Sequence, residues 1–181
     1  MTNEFIDICD ENNNLLEIQK MRSEAHRDGL WHRASYVWIY NSEREILLQL
    51  RTKEKILYPN RWSVSAAGHV GVSETPITAG LREIEEEIGL KLHKEDLNFF
   101  IIKKHQEIFR EVKNNEFRYV YFFKFDGNIN QLKLQEEEVQ KVQFFSVDQI
   151  KEGLKTDPNR YVPHGDYWFE VFNEVEKKLA S

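Results

Sequence analysis

The chain has 181 residues, 40% of them hydrophobic and 31% charged, the composition of an ordinary globular protein with a full core. Its formal net charge of −6 gives no general attraction to a nucleic-acid polymer, so none is expected as a partner. It also repels anionic phosphates, so a phosphate-bearing ligand would need metals and local cations to reach a site. Cys9 is the only cysteine, which excludes an internal disulfide and a multi-cysteine zinc site and fits a reducing cytoplasm. The opening Met1-Thr2-Asn3-Glu4-Phe5 lacks an apolar signal core. No stretch reaches the roughly 18 apolar residues of a membrane helix, so the expected location is cytoplasmic, with no membrane partner.

No repeat or Pro/Gly-rich linker divides the chain, and one domain over residues 1–181 is expected. Phe5 to Asp10 alternates like an edge strand, and Glu11 to Asn14 reads as a turn into Leu15 to Gln19, predicting an N-terminal β-hairpin. Met21 to Gly29 is polar and fits a short helix or a loop. Ala34 to Tyr40 and Ile46 to Leu50 read as strands around the turn Asn41 to Glu45, and Trp62 to Ala67 as another. Thr75 is a candidate N-cap, Pro76 suits the first helical position, and Gly89 is the stop. Asn98 to Lys103, Glu107 to Lys113 and Phe117 to Phe125 read as three further strands. Val142 to Ser146 is a last strand, leading to a short helix over Val147 to Leu154. Tyr167 to Leu179 is amphipathic, with Trp168, Val171, Phe172 and Val175 at helical spacing, and predicts a C-terminal helix packed on the core. Strands on both sides of one strong helix imply an α+β fold with a mixed sheet.

The chemistry-bearing segment runs from Gly68 to Leu90. Gly68 is followed by five residues and Glu74, then seven residues and Arg82-Glu83-Ile84-Glu85-Glu86-Glu87-Ile88-Gly89-Leu90. At about 100° per residue, Glu83, Glu86 and Glu87 share one narrow arc of a helix, while Ile77, Leu81, Ile84 and Ile88 form a core-facing arc. Glu85 points away from the acidic arc. Like charges at i,i+4 destabilise a helix, and hard divalent cations with oxygen ligands would offset that cost. Three glutamates alone describe a solvated face.

This segment resembles the Nudix box at every defining position. The resemblance implies an α/β/α sandwich with a mixed central β-sheet, the box helix on one face and the C-terminal helix on another. Residues 1–30 would form the hairpin extension, 31–155 the core and 156–181 the terminal helix. The implied function is hydrolysis of the diphosphate linkage of a nucleoside diphosphate derivative or other small organic diphosphate, with Mg²⁺ or Mn²⁺. By the same resemblance Glu86 and Glu87 are metal ligands, Glu83 binds metal or helps deprotonate the attacking water, and the Gly68 carbonyl completes the shell. Glu74 and Arg82 would support the box. Glu116 is the expected carboxylate outside it, serving as base or metal ligand, with Glu136, Glu137 and Glu138 as rivals. Trp31, Trp38, Trp62 and Tyr119 form a search list for a base-stacking surface.

The flanking regions resemble the isopentenyl-diphosphate isomerase-like branch of these proteins. That likeness implies a second metal on His26, His32 and His69 with Glu116, a donor set suited to Mn²⁺, Zn²⁺ or Fe²⁺. It also implies diphosphate-binding cations at Arg22, Arg51 and Lys55. The isomerase's catalytic cysteine is replaced by Ala67, which cannot transfer a proton, and one of its glutamates by Asn114. Hydrolysis is therefore favoured over isomerisation, and the intact acidic arc over a non-catalytic diphosphate-binding module. A homodimer is compatible with the sequence, which offers no argument for one.

Overall fold

A computed structural model describes residues 4–180. Met1 to Asn3, part of the opening without an apolar signal core, and Ser181 lie outside the described residues. Phe5–Cys9 (β1) and Leu15–Met21 (β2) form the expected antiparallel hairpin. Arg22–Asp28 is helical (α1) and ends at Gly29, whose φ of 69° is the left-handed geometry that stops a helix.

Trp31–Tyr40 (β3) organises the sheet. It pairs antiparallel with β1, Glu45–Arg51 (β4) and Ala66–His69 (β6), and parallel with Val112–Lys124 (β8). Trp62–Ser63 (β5) and Val139–Ser146 (β9) add to β4, and Asn98–Phe109 (β7) pairs with β8. One parallel pair among antiparallel ones makes the sheet mixed, as expected. Pro76–Ile88 (α2), Val147–Thr156 (α3) and Tyr167–Ala180 (α4) complete the regular elements.

Alternation along β3 assigns its two faces. Val37 and Ile39 pack with Ile84 and Ile88 of α2. Trp38 and Tyr40 pack with Trp168, Val171, Phe172 and Val175 of α4. The two helices thus cover opposite faces, and the aromatic stripe of the last helix is core.

Two strand assignments change. The predicted strand Trp62 to Ala67 is two short strands with different partners, because β3 and β4 pair only at Ile39↔Leu47 and Tyr40↔Ile46 and then diverge. The chain crosses that split at Ser65, whose Oγ accepts from the Ile39 amide at 2.8 Å and donates to the Leu47 carbonyl. The three strands predicted between Asn98 and Phe125 are two long ones, turning at Arg110, where φ is 55°. Polar residues there are the alternate positions of continuous strands rather than interruptions. The strand after His32 also starts earlier, so His32 lies within β3 and opposite Glu116 in the parallel register.

Truncating a fully buried tryptophan removes both transfer energy and packing. Trp168→Ala should lower unfolding free energy by about 3–5 kcal/mol in urea titrations, whereas Phe169→Ala, at a half-exposed neighbour, should cost less than about 1 kcal/mol.

Candidate active site

The helix bearing the glutamates is well delimited. Thr75 caps it by accepting from the Thr78 amide at 3.3 Å, and Gly89 ends it at φ 74°. Glu83 and Glu87 turn into the protein and are 8% and 1% exposed, while Glu86 remains exposed at the rim. Glu85 faces solvent and pairs with Lys91 at 3.1 Å.

Arg82 joins this group together. Its Nη1 donates to Glu83 Oε1 at 2.6 Å and Glu86 Oε2 at 3.1 Å. Its Nε and Nη2 donate to the two Glu74 oxygens, each at 3.1 Å, and Nη2 also reaches the His69 carbonyl at 3.0 Å. Glu74 in turn accepts from the Gly71 amide at 2.9 Å, tying the loop to the helix. Gly68 lies directly against Glu83, and a β-carbon there would fall on the carboxylate. Only glycine permits this approach of backbone to acid.

Glu87 reaches into the split between β3 and β4. Its Oε2 accepts from Gln49 Nε2 at 2.8 Å and the Ala67 amide at 3.1 Å, while Oε1 faces Lys55 Nζ at 3.8 Å. Lys55 also contacts Glu138. Burial pushes the Glu83 carboxyl up to about 8, with the charge of Glu87 adding to the shift despite Arg82. Burial likewise raises Glu87, against the opposing pull of Lys55. Glu83 in the metal-free fold therefore holds a proton at neutral pH that a bound cation would displace.

A cavity of about 370 Å³ opens onto Glu83 and Glu86, with Glu87 outside its lining, at the compact end of the roughly 300–1,000 Å³ range of small-molecule sites. Arg22, Arg51 and Lys55 all line it. Arg51 is anchored by Nε on the Leu57 carbonyl at 2.9 Å, and Arg22 pairs with Glu4 at 3.5 Å. Of the aromatic search list, none lines the cavity. Trp38 and Trp62 are buried in the core, Trp31 packs on Phe117, and the Tyr119 hydroxyl accepts from Asn13. Tyr36 is the lining residue with a phenolic ring, and its face is already covered by Arg118 at 4.7 Å.

His26, His32 and His69 come together, with one nitrogen of each within 4.8 Å of the others. His26 Nε2 and His69 Nε2 are 3.2 Å apart, and His32 Nε2 is buried with no partner. Burial and neighbouring positive charge push His26 down to about 4 and His69 well below its usual range, so the rings are neutral near pH 7. Glu116 belongs to this group rather than to the acidic helix. It accepts from Arg118 Nε at 2.6 Å and the Tyr36 hydroxyl at 3.0 Å. Burial opposes ionisation, but the charge and hydrogen bond of Arg118 outweigh it and hold the carboxyl below the ordinary range. The outside carboxylate whose charge acts on Glu87 is Glu138, one of the three rivals.

Sequence reasoning missed Gln49, Tyr36 and Arg118. An amide within Ile46-Leu47-Leu48-Gln49-Leu50 is an apolar run interrupted at a buried position, a signal available beforehand. Arg118 follows Glu116 by two residues and so shares its strand face.

An unfolded glutamate ionises near 4.5, whereas Glu83 in the metal-free fold holds its proton up to about 8. The folded state then binds the extra proton, so stability falls as pH rises between these values. Below 6.5 the buried neutral histidines oppose this trend, since the unfolded chain protonates them. In EDTA the protein should therefore lose stability between about pH 6.5 and 8, and Glu83→Gln should flatten that loss in denaturant melts.

The NUDIX domain family model matches residues 30–165. The chain is 33% identical over 175 residues to Nudix hydrolase 3 of Arabidopsis thaliana, covering 92% of this chain but only 23% of that protein. It is 27% identical over 164 residues to an isopentenyl-diphosphate Delta-isomerase of Pectobacterium atrosepticum, covering 91% and 86% of the two chains. A crystal structure from Deinococcus radiodurans superposes with a TM-score of 0.69 at 19% identity, over 95% of this chain and 99% of the other, a likeness of fold. With an unbroken box on a capped helix, its glutamates gathered by Arg82 against Gly68, this chain belongs to the Nudix hydrolase family.

Proposed function

We propose that the protein hydrolyses the diphosphate linkage of a nucleoside diphosphate derivative or other small organic diphosphate, using Mg²⁺ or Mn²⁺, in the cytoplasm. The observation that carries this reading is the burial of Glu83 beside Glu87 with raised proton affinity, against Gly68 and open to a cavity lined by cations. An all-oxygen donor set, whose carboxyls a bound cation would deprotonate, fits a hard divalent ion. Glu86 and Glu87 would hold it, with Glu83 and the Gly68 carbonyl completing the set. When bound, such metals neutralise the diphosphate and lower the pKa of the attacking water.

The chain's own side chains supply the remainder. Arg51 and Lys55, with Arg22 at the rim, bind the diphosphate oxygens, and Arg82 and Glu74 fix the box. Glu83 accepts the proton of the attacking water when it is not itself a ligand; a raised proton affinity suits a base working near neutrality. Glu116 is the proposed base outside the box, and Glu138 its nearer rival to Glu87. Water attacks one phosphorus, and the bond to the bridging oxygen breaks. The reaction is assigned to the core of residues 31–155, with 1–30 and 156–181 as its flanking elements.

The cavity's compact volume and its wall of Ala34, Ile56, Leu57 and Val64 favour the smaller organic diphosphates within this class. His26, His32 and His69 with Glu116 are proposed as a second metal site, supported by three neutral rings and the orphaned His32 nitrogen. Isomerisation is disfavoured because Ala67 lines the cavity at the position where the isomerase carries a catalytic cysteine.

Phosphate release from a panel of nucleoside and alkyl diphosphates with Mg²⁺ or Mn²⁺ tests the proposal. Glu87→Gln should reduce turnover by at least about 100-fold while its circular dichroism stays native. Conversion of isopentenyl diphosphate without phosphate release would instead support isomerisation. Silence across the panel with metal bound would support a binding module.

A further inference from the structure

Gln49 sits in β4 among fully buried aliphatic residues and is itself 1% exposed. Its amide nitrogen donates to Glu87 Oε2 at 2.8 Å and to the Ser65 carbonyl at 3.3 Å. Both partners are acceptors, so the orientation of the amide is fixed. Its oxygen is buried with no partner. An unpaired buried acceptor is unfavourable, and an apolar side chain of the same length would avoid it. Packing therefore does not explain this residue, whereas the bond to Glu87 does.

The geometry is specific about which oxygen is held. Gln49 and the Ala67 amide both saturate Oε2, and Oε1 is left facing the Lys55 ammonium at 3.8 Å. Ser65 anchors Gln49 from the strand crossing, where its own hydroxyl bridges β3 and β4. Glu83 and Glu86 are instead held by Arg82 from their own helix. We propose that Gln49 is the positioning residue for Glu87, fixing the carboxylate plane so that Oε1 is presented to a divalent cation. This rests on the metal-binding reading of the glutamates but does not require turnover. Partners that orient a ligand in this way typically contribute as much to metal affinity as to rate.

Gln49→Met keeps the side-chain length and removes both donors and the orphaned acceptor. Its circular dichroism should stay native, with a lowered thermal midpoint because the buried Glu87 carboxylate and the Ser65 carbonyl each lose a donor. Mn²⁺ affinity, followed by electron paramagnetic resonance, should fall about 10- to 100-fold, and kcat should fall with it. KM at saturating metal should stay within about twofold, since Gln49 does not bind the substrate. Mn²⁺ affinity within about twofold of the parent in the folded variant would overturn the proposal. A fall in affinity with no turnover by either protein would sink the hydrolase reading and leave the positioning role standing. A second measurement needs no variant: the Gln49 side-chain amide protons should exchange slowly and shift on Mg²⁺ addition. Fast exchange without a shift would count equally against the role.

Discussion

Two glutamates one helical turn apart cannot both be buried and ionised without compensation, because each disfavours the charge of the other and neither is fully solvated. Much of the structure around Glu83 and Glu87 answers this constraint. Arg82 gives up its exposure to bind Glu83 and is braced from behind by Glu74 and a loop carbonyl. Lys55 is brought from a different part of the chain to face Glu87. Glu83 and Glu86 line the cavity, where their carboxyls are available to a ligand. The same helix packs its opposite side as core, so the acidic arrangement is held rigidly by Ile84 and Ile88.

Backbone topology makes room for these side chains. Were β3 and β4 paired along their whole length, Glu87 would meet a continuous sheet. Their divergence beyond Ile39↔Leu47 leaves a wedge, and the short strands on either side of Ser65 line it with donors. There Glu87 Oε2 accepts from both the Gln49 side chain and the Ala67 amide. The second group of titratable residues, around His32 and Glu116, uses the neighbouring parallel seam between β3 and β8. Both groups are consequences of one strand having partners of both orientations.

Local patterns were the legible part of the sequence. The box helix could be read from Thr75 to Gly89 because capping residues, apolar periodicity and acidic spacing all agree. The C-terminal helix, the hairpin and the mixed sheet followed from period alone. The strand ending at Phe109 was broken too early because polar residues on a solvated face look like turn residues when read singly. The division at Ser65 was hidden because it depends on where two other strands part, a tertiary fact. Arg22, Arg51 and Lys55 were found by likeness, since nothing local separates a cavity cation from a surface one. The aromatic search list failed because Trp38 and Trp62 fill the core while Trp31 and Tyr119 pack on Phe117 and Asn13, away from the cavity.

The segment before β3 contributes more than an ornament at the sheet's edge. The NUDIX domain model begins at residue 30, yet Glu4, Arg22 and His26 all line the cavity from before that point. A chain trimmed to the shared boundary would keep its acidic helix and lose one histidine and one cation facing it. It would also uncover the edge of β3 now paired through Ile8 and Cys9, and free strand edges invite aggregation. For this protein, the boundary of the domain model and the boundary of the cavity's lining do not coincide.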